Sequence, residues 1–138
     1  PARVLLADDH ALVRSGLRMI IDAEPDLEVV AEAANGYEAL TAVSEQHADL
    51  AILDISMPRM TGLQAVREIG RSHPHVRMLI LSMFDNEQYF FEALKAGASG
   101  YVLKSVADRD LLEACRATMR EPHPTGVRGV YSVKVAGL

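Results

Sequence analysis

Residues 49–62 read DLAILDISMPRMTG, and the first half of that stretch decides the architecture. Asp49–Leu53 is an apolar run of strand length without polar alternation, the pattern of a central strand covered on both faces. A loop holding Pro58 and Gly62 follows, and Leu63, Val66 and Ile69 then recur at helical spacing. The same succession repeats on either side. Upstream, Arg3–Ala7 and Leu27–Ala33 read as strands. Between them Leu12, Val13, Gly16, Leu17, Ile20 and Ile21 form one helical stripe behind Asp9 as its amino-terminal cap. Asn35-Gly36 turns into a helix with Ala39, Leu40 and Val43 inward. Downstream, Val76–Leu81 is a fourth strand and Tyr89, Phe90, Ala93 and Leu94 mark a fourth helix. Tyr101–Leu103 is a short fifth strand, and Leu111, Leu112, Cys115 and Met119 lie on a fifth helix that follows Asp108. Five strands alternating with five helices predict an α/β fold, a doubly wound parallel sheet joined by right-handed crossovers.

Composition bounds the rest. The 138 residues suit one domain, and 49% apolar content is enough to bury a core without staples. One cysteine excludes an internal disulfide and fits a reducing compartment, so a cytoplasmic location is expected. No run approaches the roughly 20 apolar residues of a spanning helix, and no leader pattern opens the chain. Nineteen acids against fourteen bases give a net charge of −5, the wrong sign for gripping a phosphate backbone. Residues 1–120 carry 18 acids and 12 bases, while 121–138 carry one acid and two bases with two prolines and three glycines. The expected organisation is one domain over 1–120 and a linker or foreign tail over 121–138, with a weak strand reading of VYSVKV as the alternative.

A doubly wound sheet binds its ligands at the carboxyl ends of its strands, where the winding reverses. The polar residues found there are Asp8 and Asp9 after the first strand, Asp54 after the third, Ser82 after the fourth and Lys104 after the fifth. Three carboxylates near one another repel by about 4 kcal/mol per pair at 4 Å and an effective dielectric near 20, so a cation must sit among them. Mg²⁺ suits such hard oxygen ligands and is usually shared with phosphate oxygens. Lys104 adds a point charge and Ser82 a hydroxyl, completing a site for a phosphoryl group. A carboxylate can itself attack phosphorus, giving an aspartyl phosphate without a general base.

The motifs LLADDH, ILDISMPRMTG, LILSMFD and GASGYVLKS, in that order and spacing, resemble the receiver domain of two-component response regulators over residues 3–120. The wording ADDHALVRSGL is most similar to the subclass that carries a LuxR/NarL-type helix-turn-helix output domain. The resemblance implies a flavodoxin-like sheet of order 2-1-3-4-5 with helices on both faces. It implies Asp54 as phosphoacceptor and Asp9, Asp54 and the backbone carbonyl of Ser56 as Mg²⁺ ligands, with Asp8 reaching the metal through water. It further implies Ser82 and Lys104 as partners of the phosphoryl group and Ser82 with Tyr101 as switch residues. Ser56 and Phe84 would influence the lifetime of the phosphate. Phosphorylation is expected to draw in Ser82 and Lys104, reshape the segments after the third and fourth strands, and let Tyr101 turn inward. The fourth helix, fifth strand and fifth helix would form the readout surface. Implied partners are a sensor histidine kinase, a second copy on phosphorylation, and DNA only through an output domain that these residues do not include. Ser105 stands where the family often has a cis-proline, so a trans or strained bond is expected after Lys104.

Each residue has a plainer reading. Asp8-Asp9 alone reads as a helix cap, Asp54 as a turn residue, Ser82 as a loop serine, Lys104 as a surface charge and Tyr101 as packing. His73-Pro74-His75 reads as a solvated loop and Cys115 as a buried, inert thiol; His10 reads as packing or capping beside the acids. Met57, Met60 and Met83 are placed in loops around the cleft, and Gly62, Gly97 and Gly100 are assigned to backbone conformation. Competing functions are a stand-alone receiver acting by protein contacts and an aspartyl-phosphate phosphohydrolase. The latter commonly has a second acid two positions after the nucleophile, and Ser56 stands there instead.

Overall fold

The computed structural model of the chain describes residues 1–120, so the expectations for 121–138 lie outside the described residues. Five parallel strands, β1 (Ala2–Ala7), β2 (Leu27–Ala33), β3 (Leu50–Asp54), β4 (Arg77–Ser82) and β5 (Gly100–Leu103), form one sheet of order β2-β1-β3-β4-β5. Five α-helices connect and close it: α1 (Ala11–Asp22), α2 (Gly36–Gln46), α3 (Gly62–Ser72), α4 (Glu87–Ala96) and α5 (Ala107–Arg120). A 3₁₀ turn over Lys104–Val106 precedes α5. The expected fold class and strand order are both observed.

Side chains alternate across the pleat, and both faces are apolar. Leu5, Ala7, Ala51, Leu53 and Ile80 join Ala39, Val43, Val66 and Ile69 in the layer under α2, α3 and α4. Val4, Leu6, Ile52, Leu79 and Leu81 join Leu17, Ile21, Leu111 and Cys115 under α1 and α5. This explains why the central strands lack polar alternation. Each fully buried Leu or Ile contributes roughly 1.5–3 kcal/mol, and the central strands supply most of them.

The helix starts are specified locally. Asn35 accepts the Glu38 amide at 2.9 Å, Thr61 and Gln64 form a capping box, and Asn86 accepts the Tyr89 amide at 3.2 Å. Gly97, at φ 115°, ends α4 in the left-handed conformation that glycine tolerates.

Several boundaries differ from the expectations. His10, not Asp9, is the N-cap of α1, and its side chain makes no capping hydrogen bond. Only Leu17 and Ile21 of the expected α1 stripe are buried. Leu12 is 87% exposed, because the amino-terminal half of the helix borders an open groove facing Lys104, Ser105, Ala107 and Asp108. β3 and β4 each run one residue further than the apolar run, since ladder hydrogen bonds do not depend on side-chain polarity. Asp108 lies inside the first turn of α5, where with Asp110 it complements the helix dipole. Among the described residues no cis peptide bond occurs, so the Lys104–Ser105 bond is trans.

Candidate functional site

The winding reverses between β1 and β3, whose connections leave in opposite directions, and the carboxyl ends of these two strands carry the acids. Asp8 Oδ1 accepts the His10 amide at 2.9 Å, a turn that carries the chain from β1 into α1. Its Oδ2 is buried and is paired by the Lys104 ammonium at 2.9 Å. Asp54 closes β3, is 3% exposed, and accepts the Ser56 amide on Oδ1 at 3.3 Å. Its Oδ2 receives Lys104 Nζ at 3.1 Å. Asp9 keeps 30% of its side chain exposed, with Oδ1 at 3.2 Å from His10 Nδ1.

The strand ends are held together by backbone packing. The Ile55 amide donates to the Leu81 carbonyl at 2.9 Å, tying the end of β3 to β4. Gly62 opens α3 so close to that turn that a Cβ there would lie 2.1 Å from the Asp54 carbonyl oxygen and 2.7 Å from Ile55 Cα. Close approach therefore demands this glycine, correcting the conformational reason expected for it. Gly100 likewise faces Thr118 Oγ1, at 2.5 Å from a hypothetical Cβ; only Gly97 fits the conformational reading.

Burial, reinforced by the neighbouring Asp8 charge and partly offset by Lys104, pushes the Asp54 carboxyl up to about 6. Burial alone would lower the Lys104 ammonium, but hydrogen bonding and charge from Asp8 and Asp54 outweigh it and hold it above its ordinary range. A hydrogen-bonded carboxylate on a buried strand end, facing an ammonium, can chemically serve as a nucleophile beside a charge able to stabilise an anion.

Asp8, Asp9, His10 and Asp54 each present a ligand atom within 4.8 Å of the others, and two of the three carboxylates, Asp8 and Asp54, are buried. Oxygen donors of this kind fit a small divalent cation. The fold thus gathers Asp8, Asp9, Asp54 and Lys104 from three strand ends, as expected, and adds His10.

Ser82 closes β4, but its hydroxyl is engaged elsewhere. It accepts the Phe84 amide at 2.8 Å and turns its proton toward the Phe84 carbonyl at 3.4 Å. Tyr101 is inward, only 2% exposed. Its hydroxyl donates to the same Phe84 carbonyl at 2.7 Å while its ring stands edge-on to Phe90. Both expected switch residues thus converge on one backbone unit, that of Phe84, a residue the resemblance singles out for its place beside the phosphate and not for this contact.

Met57, Met60 and Met83 lie in the loops after β3 and β4, as expected, with Met57 buried in the core, Met60 packed against it and Met83 74% exposed. Burial pushes the Cys115 thiol up to about 12, in keeping with an inert core cysteine. His73 and His75 lie at the far edge of the sheet, His73 as the C-cap of α3. Among the described residues no helix is long and apolar enough to cross a membrane.

Comparison with known proteins gives a consistent result. Residues 4–116 match the family described as response regulator receiver domain. The oxygen regulatory protein NreC of Staphylococcus epidermidis is 49% identical over 115 residues, covering 83% of this chain and 53% of NreC. The chain therefore spans about half the length of the curated relatives it matches. A two-component response regulator of the LuxR family from Aurantimonas superposes with a TM-score of 0.82 at 38% identity, over 86% of this chain and 84% of that one. The response regulator domain of Thermotoga maritima CheB gives 0.81 at 32% identity, over 88% and 98%.

Proposed function

The chain belongs to the response regulator receiver family, of the NarL/LuxR kind, and on that premise we propose that Asp54 is its phosphoacceptor. One observation carries the assignment: a carboxylate 3% exposed at the end of a central strand, 3.1 Å from the Lys104 ammonium and within reach of two further acids. An Asp54 oxygen attacks the phosphorus of a phosphohistidine on a sensor kinase. The new O–P bond replaces the P–N bond, and the imidazole leaves with its electron pair and takes a proton from water. Lys104 neutralises charge gathering on the equatorial oxygens, and Ser82, once released from Phe84, donates to one of them. Asp9, Asp54 and the Ser56 carbonyl would hold Mg²⁺, with Asp8 contacting it through water. Mg²⁺ there supplies charge neutralisation for the transferring group.

In this reading residues 1–120 form the receiver, and self-catalysed phosphotransfer and dephosphorylation are its only chemistry. In the whole protein a sensor kinase donates, the receiver dimerises when phosphorylated, and a DNA-binding output domain acts on transcription in the cytoplasm. Incubation with Mg²⁺ and a small phosphodonor, followed by intact-mass measurement, tests it. One durable adduct of a phosphoryl group, absent in Asp54→Asn, is expected. Labelling that survives in Asp54→Asn removes the nucleophile, rapid turnover favours a phosphohydrolase, and no adduct at all favours a domain acting by contact alone.

A further inference from the structure

Behind the acidic turn lies a second polar assembly, on the face of the sheet that carries α1. Arg14, near the start of α1, donates from Nη1 to the backbone carbonyl of Asp8 at 2.5 Å and from Nε to Glu32 Oε1 at 2.7 Å. One turn later Arg18 donates to the other Glu32 oxygen at 2.5 Å and to Asp22 Oδ2 at 3.2 Å. Asp22 Oδ1 accepts the Val29 amide at 3.0 Å, closing the assembly onto β2. Two cations and two anions cancel.

Glu32 reaches this face through an irregularity in β2. Pairing runs Val4 with Val29 but Leu5 with Ala31, so Val30 is an extra residue, a β-bulge. Beyond it Glu32 pairs with Leu6, whose side chain belongs to the layer under α1 and α5. An unbroken ladder would have put Ala31 there and turned Glu32 to the opposite face.

We propose that Arg14 is the positioning residue of the Asp8–Asp9 pair. A peptide unit is planar, so fixing the Asp8 carbonyl fixes the plane joining Asp8 to Asp9 and hence the direction from which both side chains depart. Asp9 is the less buried acid and has the most freedom to lose. Glu32 holds the guanidinium in register and neutralises it, so the positioning charge does not repel a cation at the acids. Arg14 touches no reacting atom.

The inference rests on the reading of Asp8, Asp9 and Asp54 as a Mg²⁺ site, and the test separates the two. Mg²⁺ alone is titrated calorimetrically into the full chain, into Arg14→Met and into Arg14→Lys, and phosphorylation rates are taken across a Mg²⁺ series. Arg14→Met is expected to weaken Mg²⁺ binding about tenfold, as loss of an outer-shell partner does. Half-saturation by Mg²⁺ rises correspondingly while the rate at saturating Mg²⁺ is retained. Arg14→Lys, able to reach the carbonyl or Glu32 but not both, falls between and serves if the methionine variant does not fold. Unchanged Mg²⁺ affinity in either variant that folds overturns the proposal. So does a lower maximal rate with unchanged half-saturation, which marks a merely structural arginine. If the unsubstituted chain takes up no Mg²⁺, the site reading itself fails, and this inference with it.

Discussion

The Lys104 ammonium stands 3.1 Å from Asp54 Oδ2, with Asp8 Oδ2 2.9 Å from the same nitrogen, so one cation separates two buried acids. Removing it leaves those carboxylates facing each other without compensation. Breaking a buried pair this way costs about 3 kcal/mol, and Lys104→Met is expected to lose that much at pH 7.5 in the absence of divalent cation. Added Mg²⁺ should restore part of it, since a dication can take over the same task. Urea unfolding with and without Mg²⁺ measures both; unchanged stability in the variant would show that the two acids are not held ionised together.

Asp54 itself weakens the fold at neutral pH. Its carboxyl is raised from an ordinary 3.8 to about 6, first by burial and then by Asp8, so the folded chain holds the proton more tightly than the unfolded one. The stability it contributes is complete below about pH 4 and is lost as pH rises through about 6. Asp54→Asn removes the charge and keeps the shape. The variant should exceed the unsubstituted chain by about 1–3 kcal/mol at pH 7.5 and converge with it near pH 4. Thermal unfolding at the two pH values decides, and a variant less stable at pH 7.5 would contradict the assigned shift.

What the sequence made legible, and what it hid, divides along physical lines. β2 was bounded correctly because Leu27 and Ala33 mark its ends, yet its bulge was invisible. LEVVAEA sets Glu28 and Glu32 four residues apart, where an unbroken strand would also put them on one face, and the extra residue at Val30 exists only relative to the pairing of β1. Asp8, Asp9, Asp54 and Lys104 could be assembled in advance because a parallel sheet brings its strand ends together whatever the loops do. Arg14 could not, since its contact with the Asp8 carbonyl follows from where α1 lies against β2. Ser82 and Tyr101 were recognised, but their common anchor is a backbone carbonyl, and backbone acceptors leave no signature in residue identity. The α1 stripe overreached for a related reason: periodicity shows which residues share a face, not how far a neighbour extends to cover it.

Gly62 should be irreplaceable, whereas Gly70 in the same helix should not. An alanine Cβ at 62 meets backbone atoms of Asp54 and Ile55, which cannot rotate away; at 70 the nearest atom is Met78 Cε at 3.7 Å, an ordinary contact. Gly62→Ala is expected to cost about 2–3 kcal/mol and to slow phosphorylation by displacing the end of β3. Gly70→Ala should be neutral or stabilising by about 0.5–1 kcal/mol. Unfolding midpoints of the two single variants make the comparison; equal midpoints would mean that α3 can move away from β3 at little cost.

Ser82 and Tyr101 act on the loop after β4 through one residue, and that makes their effects non-additive. Tyr101→Phe removes the 2.7 Å bond to the Phe84 carbonyl while keeping the ring against Phe90, at a cost of about 1 kcal/mol. Ser82→Ala removes the acceptor for the Phe84 amide, at a similar cost. Once either bond is gone the Phe84 peptide unit is less fixed, and the remaining bond has less to hold. The double variant should therefore lose less than the sum, with a coupling of at least about 0.5 kcal/mol. Amide exchange at Phe84 should quicken in each single variant and little further in the double. Losses that add within about 0.3 kcal/mol would mean that the two hydroxyls hold the loop independently. Release of Ser82 toward a phosphoryl group would then leave the Tyr101 contact undisturbed.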